Sequence, residues 1–277
     1  MMFDGAIRRL VLVGLVSVAT AVIVPAAIAA GPPRVVTCPE YNANDPTDST
    51  VYQGTAMNLF VPAGHECVMY GADISHDVTL ESGSLFGAIS STIGHDLVSH
   101  GAAVISTGVY QTLGGKGPGP VVVGDNITLK GSSFNLDFCD TTVVHDFKVN
   151  GLKNAYELQI GDTSKNNLDY VDNFYSCQGG PGFSLSPPVT INHDLKITNS
   201  TVGLLDVSND SIGHNLVVKN DVATYATEGY LPSEQGMWVA NNSIGNNATC
   251  LGDSPALGNA GPDAAQNTAG RHNNCKF

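Results

Sequence analysis

Apolar residues do not recur along this chain with a helical period. They come in short alternating runs divided by Gly, Asn, Asp and Ser. A five-residue pattern stands out, first as Ile74-Ser75-His76-Asp77-Val78 and then as Ile93-Gly94-His95-Asp96-Leu97. It returns as Val123-Gly124-Asp125-Asn126-Ile127, Val143-Val144-His145-Asp146-Phe147 and Ile191-Asn192-His193-Asp194-Leu195. Ile212-Gly213-His214-Asn215-Leu216 and Ile244-Gly245-Asn246-Asn247-Ala248 complete the series. The copies start 19, 30, 20, 48, 21 and 32 residues apart. A unit of 19–21 residues explains three of these spacings; the others are one or two units plus inserted residues. Self-similarity at a fixed period marks a solenoid.

A weaker run follows within the unit. Val202, Leu205 and Val207 echo Ile191, Leu195 and Ile197, and Phe134, Leu136 and Phe138 echo Val123, Ile127 and Leu129. Each unit thus holds at least two short strands with alternate residues turned inward. Strands this short cannot bury a core alone, but stacked at about 4.8 Å per rung they can. The expected fold is all-β: a right-handed parallel β-helix of about eight rungs, roughly 38 Å tall. The handedness follows the general crossover rule. Leucine-rich coils need a longer, leucine-dominated unit.

Residues 1–30 read as an export signal. Arg8 and Arg9 precede the apolar run Leu10 to Val24, Pro25 breaks it, and Ala27-Ile28-Ala29 offers a small-x-small cleavage site. The alternative is an uncleaved anchor, because the run approaches bilayer-spanning length. No later stretch is long and apolar enough to span a membrane. Residues 31–65 are expected to form an N-terminal cap and residues 66–250 the solenoid. Insertions are expected at 106–121, 151–190 and 221–240, and a disulfide-closed tail at 251–277. The expected location is secreted or cell-surface, and the expected state a monomer.

All six cysteines follow the signal: Cys38, Cys67, Cys139, Cys177, Cys250 and Cys275. An even count in an exported chain reads as disulfides, although six cysteines allow about 15 pairings. Sequential pairing is expected: Cys38–Cys67, Cys139–Cys177 and Cys250–Cys275. Each would close an irregular segment and staple the ends. No pair has the C-x-x-C spacing of a metal site.

Two segments carry a family resemblance. The first is Asn58-Leu59-Phe60-Val61-Pro62-Ala63-Gly64-His65-Glu66-Cys67, followed by Gly71-Ala72-Asp73-Ile74 and Val78 to Leu85. The second is the closing Ser243-Ile244-Gly245-Asn246-Asn247-Ala248-Thr249-Cys250, with a last cysteine near the terminus. Together they resemble a group of secreted bacterial β-helix proteins without an assigned activity. That resemblance implies the same fold and an envelope or extracellular role. Where this chain has His76, His95, His145, His193 and His214, those proteins usually have Gly.

Charge narrows the function. Only 13% of residues are charged and the net charge is −13. A nucleic-acid partner needs a basic surface, which is missing. A chain that is 42% hydrophobic is not a disordered tail. Hydrolases need paired carboxylates at set separations, and Asp137, Asp140, Asp162, Asp169 and Asp172 supply carboxylates without a recognised motif. A lyase would want a basic residue on one face, yet the arginines after the signal, Arg34 and Arg271, lie outside the repeat. Ice binding needs a flat Thr row. The outward column Thr79, Val98, Thr128, Lys148, Lys196, Val217, Thr249 is too mixed.

Two features remain. The His-Asp turns stack into a column in which neighbouring imidazoles and carboxylates share an edge, His193 with His214 above all. The simpler reading is a turn ladder, because nothing in sequence shows three ligands converging as zinc requires. No metal or cofactor is assigned. The insertions hold Tyr110, Tyr156, Tyr170, Tyr175, Tyr225 and Tyr230, together with the single Trp238. Loops on a rigid scaffold often carry binding. Tyr110, Tyr170, Tyr175, Tyr225, Tyr230 and Trp238 are therefore the candidate ligand contacts, for a glycan or another envelope protein. The alternative reading is a β-helix polysaccharide lyase or hydrolase. No catalytic residue is assigned.

Overall fold

Alternating apolar residues close into rungs when each strand turns every second side chain inward against the other walls. The computed structural model describes residues 34–38, 51–108, 119–161, 188–224, 236–254 and 266–275. All fall in the unit Pro32–Phe277; the unit Met1–Gly31, with the expected export signal, lies outside the described residues.

Each rung passes through three strands. One rung runs Glu66–Tyr70, Asp73–Ile74 and Val78–Leu80, and the next Leu85–Ile89, Thr92–Ile93 and Leu97–Ser99. Like strands pair in parallel with the rungs before and after, giving three parallel sheets of nine strands each. The fold is an all-β parallel β-helix, with no helix among the described residues.

The first sheet begins at Val35–Thr37 and Asn58–Val61 and ends at Ala248–Leu251. The second runs from Val51–Tyr52 to Val222–Ala223, with Met237–Ala240 also paired to Thr201–Ser208. The third runs from Thr55–Ala56 to Thr268–Ala269. Two expected boundaries move accordingly. Strands within residues 35–37 and 51–61 lie in the sheets rather than in a separate cap, and the stack has the expected height of about eight rungs, with eight levels in the second sheet and nine strands in each of the others. At the far end Thr268–Ala269 extends the third sheet into the expected tail.

The core is a set of stacked apolar columns. Leu59, Val78, Leu97, Ile127, Phe147, Leu195, Leu216 and Ala248 pair in sequence along the first sheet, all buried. Phe138 of the second sheet meets Phe147 edge-on across the interior at 4.8 Å. The second sheet contributes Phe86, Ile105, Leu136, Leu158, Leu205 and Met237. Phe134 departs from the expected inward pattern. It is 58% exposed, because it lies in the bend just before the strand Asn135–Phe138, where the inward alternation of Leu136 and Phe138 has not yet begun.

Two of the expected disulfides are present, Cys38–Cys67 and Cys250–Cys275, one near each end. Cys139 is also disulfide-bonded, and its partner lies outside the described residues.

Candidate functional site

The His-Asp turns join the third sheet to the first and stack in register. Main-chain N–H groups of His95, Asp125, His145, His193, His214, Asn246 and Arg271 each donate to the carbonyl one rung earlier. None of the His or Asx residues in these copies has a positive φ. Left-handed residues such as Asn199, Asn209, Asn220 and Asn241 sit at the other corners instead. The turn glycines answer a different need. A Cβ at Gly94 would overlap the carbonyl oxygen of Ser75, and one at Gly245 that of Gly213.

A second ladder runs beside the first, built from side chains. Asp77 Oδ1 accepts the N–H of Asp96 at 3.2 Å, and Asp96 Oδ1 that of Asn126 at 2.9 Å. Asp146 Oδ1 accepts from Asp194 N at 3.2 Å and Asp194 Oδ1 from Asn215 N at 3.0 Å. A short side chain ending in oxygen is what this position requires, which explains Asp and Asn throughout.

Two imidazoles, His193 and His214, cap this carboxylate row, while His145 meets Asp125, which stands in the His place of its copy. His145 Nδ1 lies 2.7 Å from Asp125 Oδ1, His193 Nδ1 2.6 Å from Asp146 Oδ1, and His214 Nδ1 3.0 Å from Asp194 Oδ1. The rings of His193 and His214 stack at 4.8 Å and 11°. Those of His76 and His95 lie 4.9 Å apart, tilted by 43°. Lys148 and Lys196 reach back along their own strands to Asp146 at 2.7 Å and Asp194 at 2.6 Å. Burial alone would push the Asp146 carboxyl up, but hydrogen bonds from Lys148, His193 and Asp194 N outweigh it and hold it at about 2. Asp194 behaves likewise: burial opposes, and Lys196, His214 and Asn215 prevail, so its carboxyl lies far below the ordinary range. The hydrogen bond to Asp194 in turn raises Lys196.

A second polar feature lies on the outer face of the second sheet. Ser106, Asp137, Gln159, Asp206 and Trp238 pair in one column, and Asn135 and Glu157 in the next outward column. All are buried despite facing away from the core. Asn135 Nδ2 donates to Asp137 Oδ2 at 2.8 Å, and Ser208 Oγ donates to Asp206 Oδ1. Burial, reinforced by the charge of Glu157, pushes the Asp137 carboxyl well up. The sequence carried a signal for this face: period-two pairs such as Asn135 and Asp137, or Glu157 and Gln159, in otherwise apolar runs. It passed unread because polar residues at alternate positions look like an ordinary solvated face.

The aromatic candidates divide. Tyr110, Tyr170, Tyr175, Tyr225 and Tyr230 lie outside the described residues. Trp238 does not sit in an exposed loop. It is 3% exposed in the strand Met237–Ala240, because residues 237–240 complete a rung opposite Leu205 to Ser208. The insertion boundaries shift for the same reason: residues 151–161 and 222–223 are also strand. One aromatic pair with an exposed member, Phe134, was not expected. Phe134 stacks on Tyr156, one rung on, at 5.5 Å and 26°.

The chain was compared with protein-family models, with curated proteins and with solved structures, and none of the three gives a match. Among the described residues no helix is long and apolar enough to cross a membrane. Disulfides at both ends fit an oxidising compartment.

Proposed function

We propose that this chain is an exported, non-catalytic structural or binding protein of the cell envelope or extracellular space, with a glycan as the ligand class. The observation that carries this reading is the Phe134–Tyr156 stack on the rim of the second sheet, in which Phe134 is exposed and Tyr156 half-buried. Aromatic faces open to solvent suit the apolar faces of sugar rings, and the rigid ladder behind them keeps the ordering cost of binding low. The sheet involved is also the one from which the chain departs between Thr107 and Val121, Gly161 and Thr190, and Ala223 and Met237. A glycan array probed with the mature protein tests this. Phe134→Ala should abolish the strongest signal while leaving the fold intact. Equal binding by both proteins sinks the proposal.

A hydrolase is the second reading, favoured by three carboxylates on successive rungs of one face: Asp137, Glu157 and Asp206. Asp137 and Asp206 stand two rungs apart, about 9.6 Å by strand spacing. Inverting hydrolases place their carboxyl groups about 6.5–9.5 Å apart. Both residues have no exposed surface, however, so a polysaccharide has no access to them in this conformation. Release of reducing sugar from a polysaccharide panel, lost in Asp137→Asn, would reverse the preference.

A further inference from the structure

We propose that His193, Asp194 and His214 form a binding site for a borderline divalent transition metal, zinc or copper(II). One ligand atom from each of the three lies within 4.8 Å of the other two. His214 Nδ1 is 3.0 Å and His193 Nδ1 3.9 Å from the same Asp194 Oδ1. A triangle of that size seats an ion about 2.0–2.4 Å from each corner after small ring rotations, the range of zinc bonds to nitrogen and oxygen.

The parts of the site are unequally mobile, and this favours binding. Asp194 is 5% exposed and fixed from behind by Lys196 Nζ on Oδ2 at 2.6 Å and by Asn215 N on Oδ1 at 3.0 Å. The two imidazole side chains are 49% and 45% exposed. Their rings are free to tilt from the parallel stack, whose lone pairs do not converge, toward one point. Asp146 Oδ1, at 2.6 Å from His193 Nδ1, adds a carboxylate on the rung below. Asn215 Nδ2 lies 2.8 Å from His214 Nδ1 and 2.9 Å from Asp194 Oδ1, and must swing aside. Binding through Nδ1 places the single proton of each neutral ring on Nε2; at His214 that nitrogen lies 2.9 Å from Asn246 Nδ2, so the Asn246 amide must turn its oxygen toward it to accept the proton. Two nitrogens and one oxygen select a borderline ion over calcium, which takes six to eight oxygens.

Among the described residues no other rung gathers three ligand atoms in this way. The His76 and His95 rings lie as close, at 4.9 Å, but are tilted by 43°. His76, Asp77 and His95 offer the same residue types in the same order, so what sets this pair apart is geometry: the His193 and His214 rings stack at 11° and both Nδ1 atoms lie within 4 Å of Asp194 Oδ1.

Isothermal titration of the mature protein with zinc chloride tests the proposal, with calcium chloride as control. One saturable zinc site is expected, with no calcium heat. His193→Ala and His214→Ala should each weaken zinc at least tenfold, and His76→Ala should change nothing. Copper(II) electron paramagnetic resonance of the unaltered protein is a second measurement that needs no variant; two coupled imidazole nitrogens are expected. Zinc binding that survives the His193→Ala/His214→Ala double variant, its absence in the unaltered protein, or a copper spectrum without imidazole coupling overturns the proposal.

Discussion

Asp194 Oδ1 accepts the main-chain N–H of Asn215, one rung further along, at 3.0 Å. One carboxylate thereby replaces a solvent contact for the next turn and at the same time anchors Lys196 at 2.6 Å. Removing it leaves a turn N–H and an ammonium to find water. Asp194→Ala should lower stability by about 3 kcal/mol, as expected for charged hydrogen bonds. Asp194→Asn keeps the accepting oxygen and should cost clearly less. Lys196→Ala, at an exposed ion pair, should cost under about 1 kcal/mol. Urea unfolding of the three variants checks the order.

The carboxylates impose opposite pH dependences. Asp146, at about 2, and Asp194, also lowered, add stability that is present above the unfolded carboxylate value near 3.9. That stability is lost as pH falls through their folded values, and for Asp146 alone it is roughly 2 kcal/mol. Asp221 runs the other way. Burial, helped by the Asp253 charge and opposed by hydrogen bonds from Ser200 and Lys219, raises it to about 6. The folded chain therefore holds an extra proton between about pH 4 and 6, and stability falls as pH rises through that window. Asp137, Asp140 and Asp253 are raised as well and reinforce it. Melting temperature should peak in mild acid and decline toward pH 7. A steady climb from pH 4 to 7 would contradict this.

Glycines in this solenoid are present for two reasons that a single substitution separates. Gly94 sits directly over the Ser75 carbonyl, so Gly94→Ala must push rungs apart and should cost about 3 kcal/mol. Gly64 has φ +74° and open space around its missing Cβ. Gly64→Ala should cost only the left-handed strain, about 1 kcal/mol. Thermal melts followed by circular dichroism would show the difference.

The Cys250–Cys275 bridge ties the last strand of the first sheet to the chain's final described residue across a separation of 25. Replacing both cysteines by Ser should lower stability by about 2–4 kcal/mol. Hydrogen exchange should show the loss at strands Ala248–Leu251 and Thr268–Ala269, leaving the rungs around Ile127 protected.

Much of the fold was legible in the sequence because one turn repeats. Thr79, Val98, Thr128, Lys148, Lys196, Val217 and Thr249, aligned from that turn alone, pair in the structure in that order. The first rung escaped notice for a geometric reason. Two residues, Met57 and Asn58, join Ala56 to Leu59 where later rungs use three, so the five-residue signature is broken. Trp238 was misplaced because its strand follows an insertion with no turn to fix the register. For the candidate metal site, sequence supplied the ligand types but not their convergence. Convergence depends on Asp194 being held rigidly while the imidazoles stay exposed, which is a matter of depth rather than order along the chain.

The pairing on either side of each interruption has one more consequence. Thr107 pairs with Phe138 and Val122 with Thr92, as they would if the chain between them were a short corner. Because closure entropy grows only with the logarithm of length, the length of a segment inserted here costs little closure entropy. The second sheet's margin is therefore a ruler marked about every 4.8 Å. Foreign peptides grafted between Thr107 and Val121 or between Ala223 and Met237 would be held at fixed, calculable spacings.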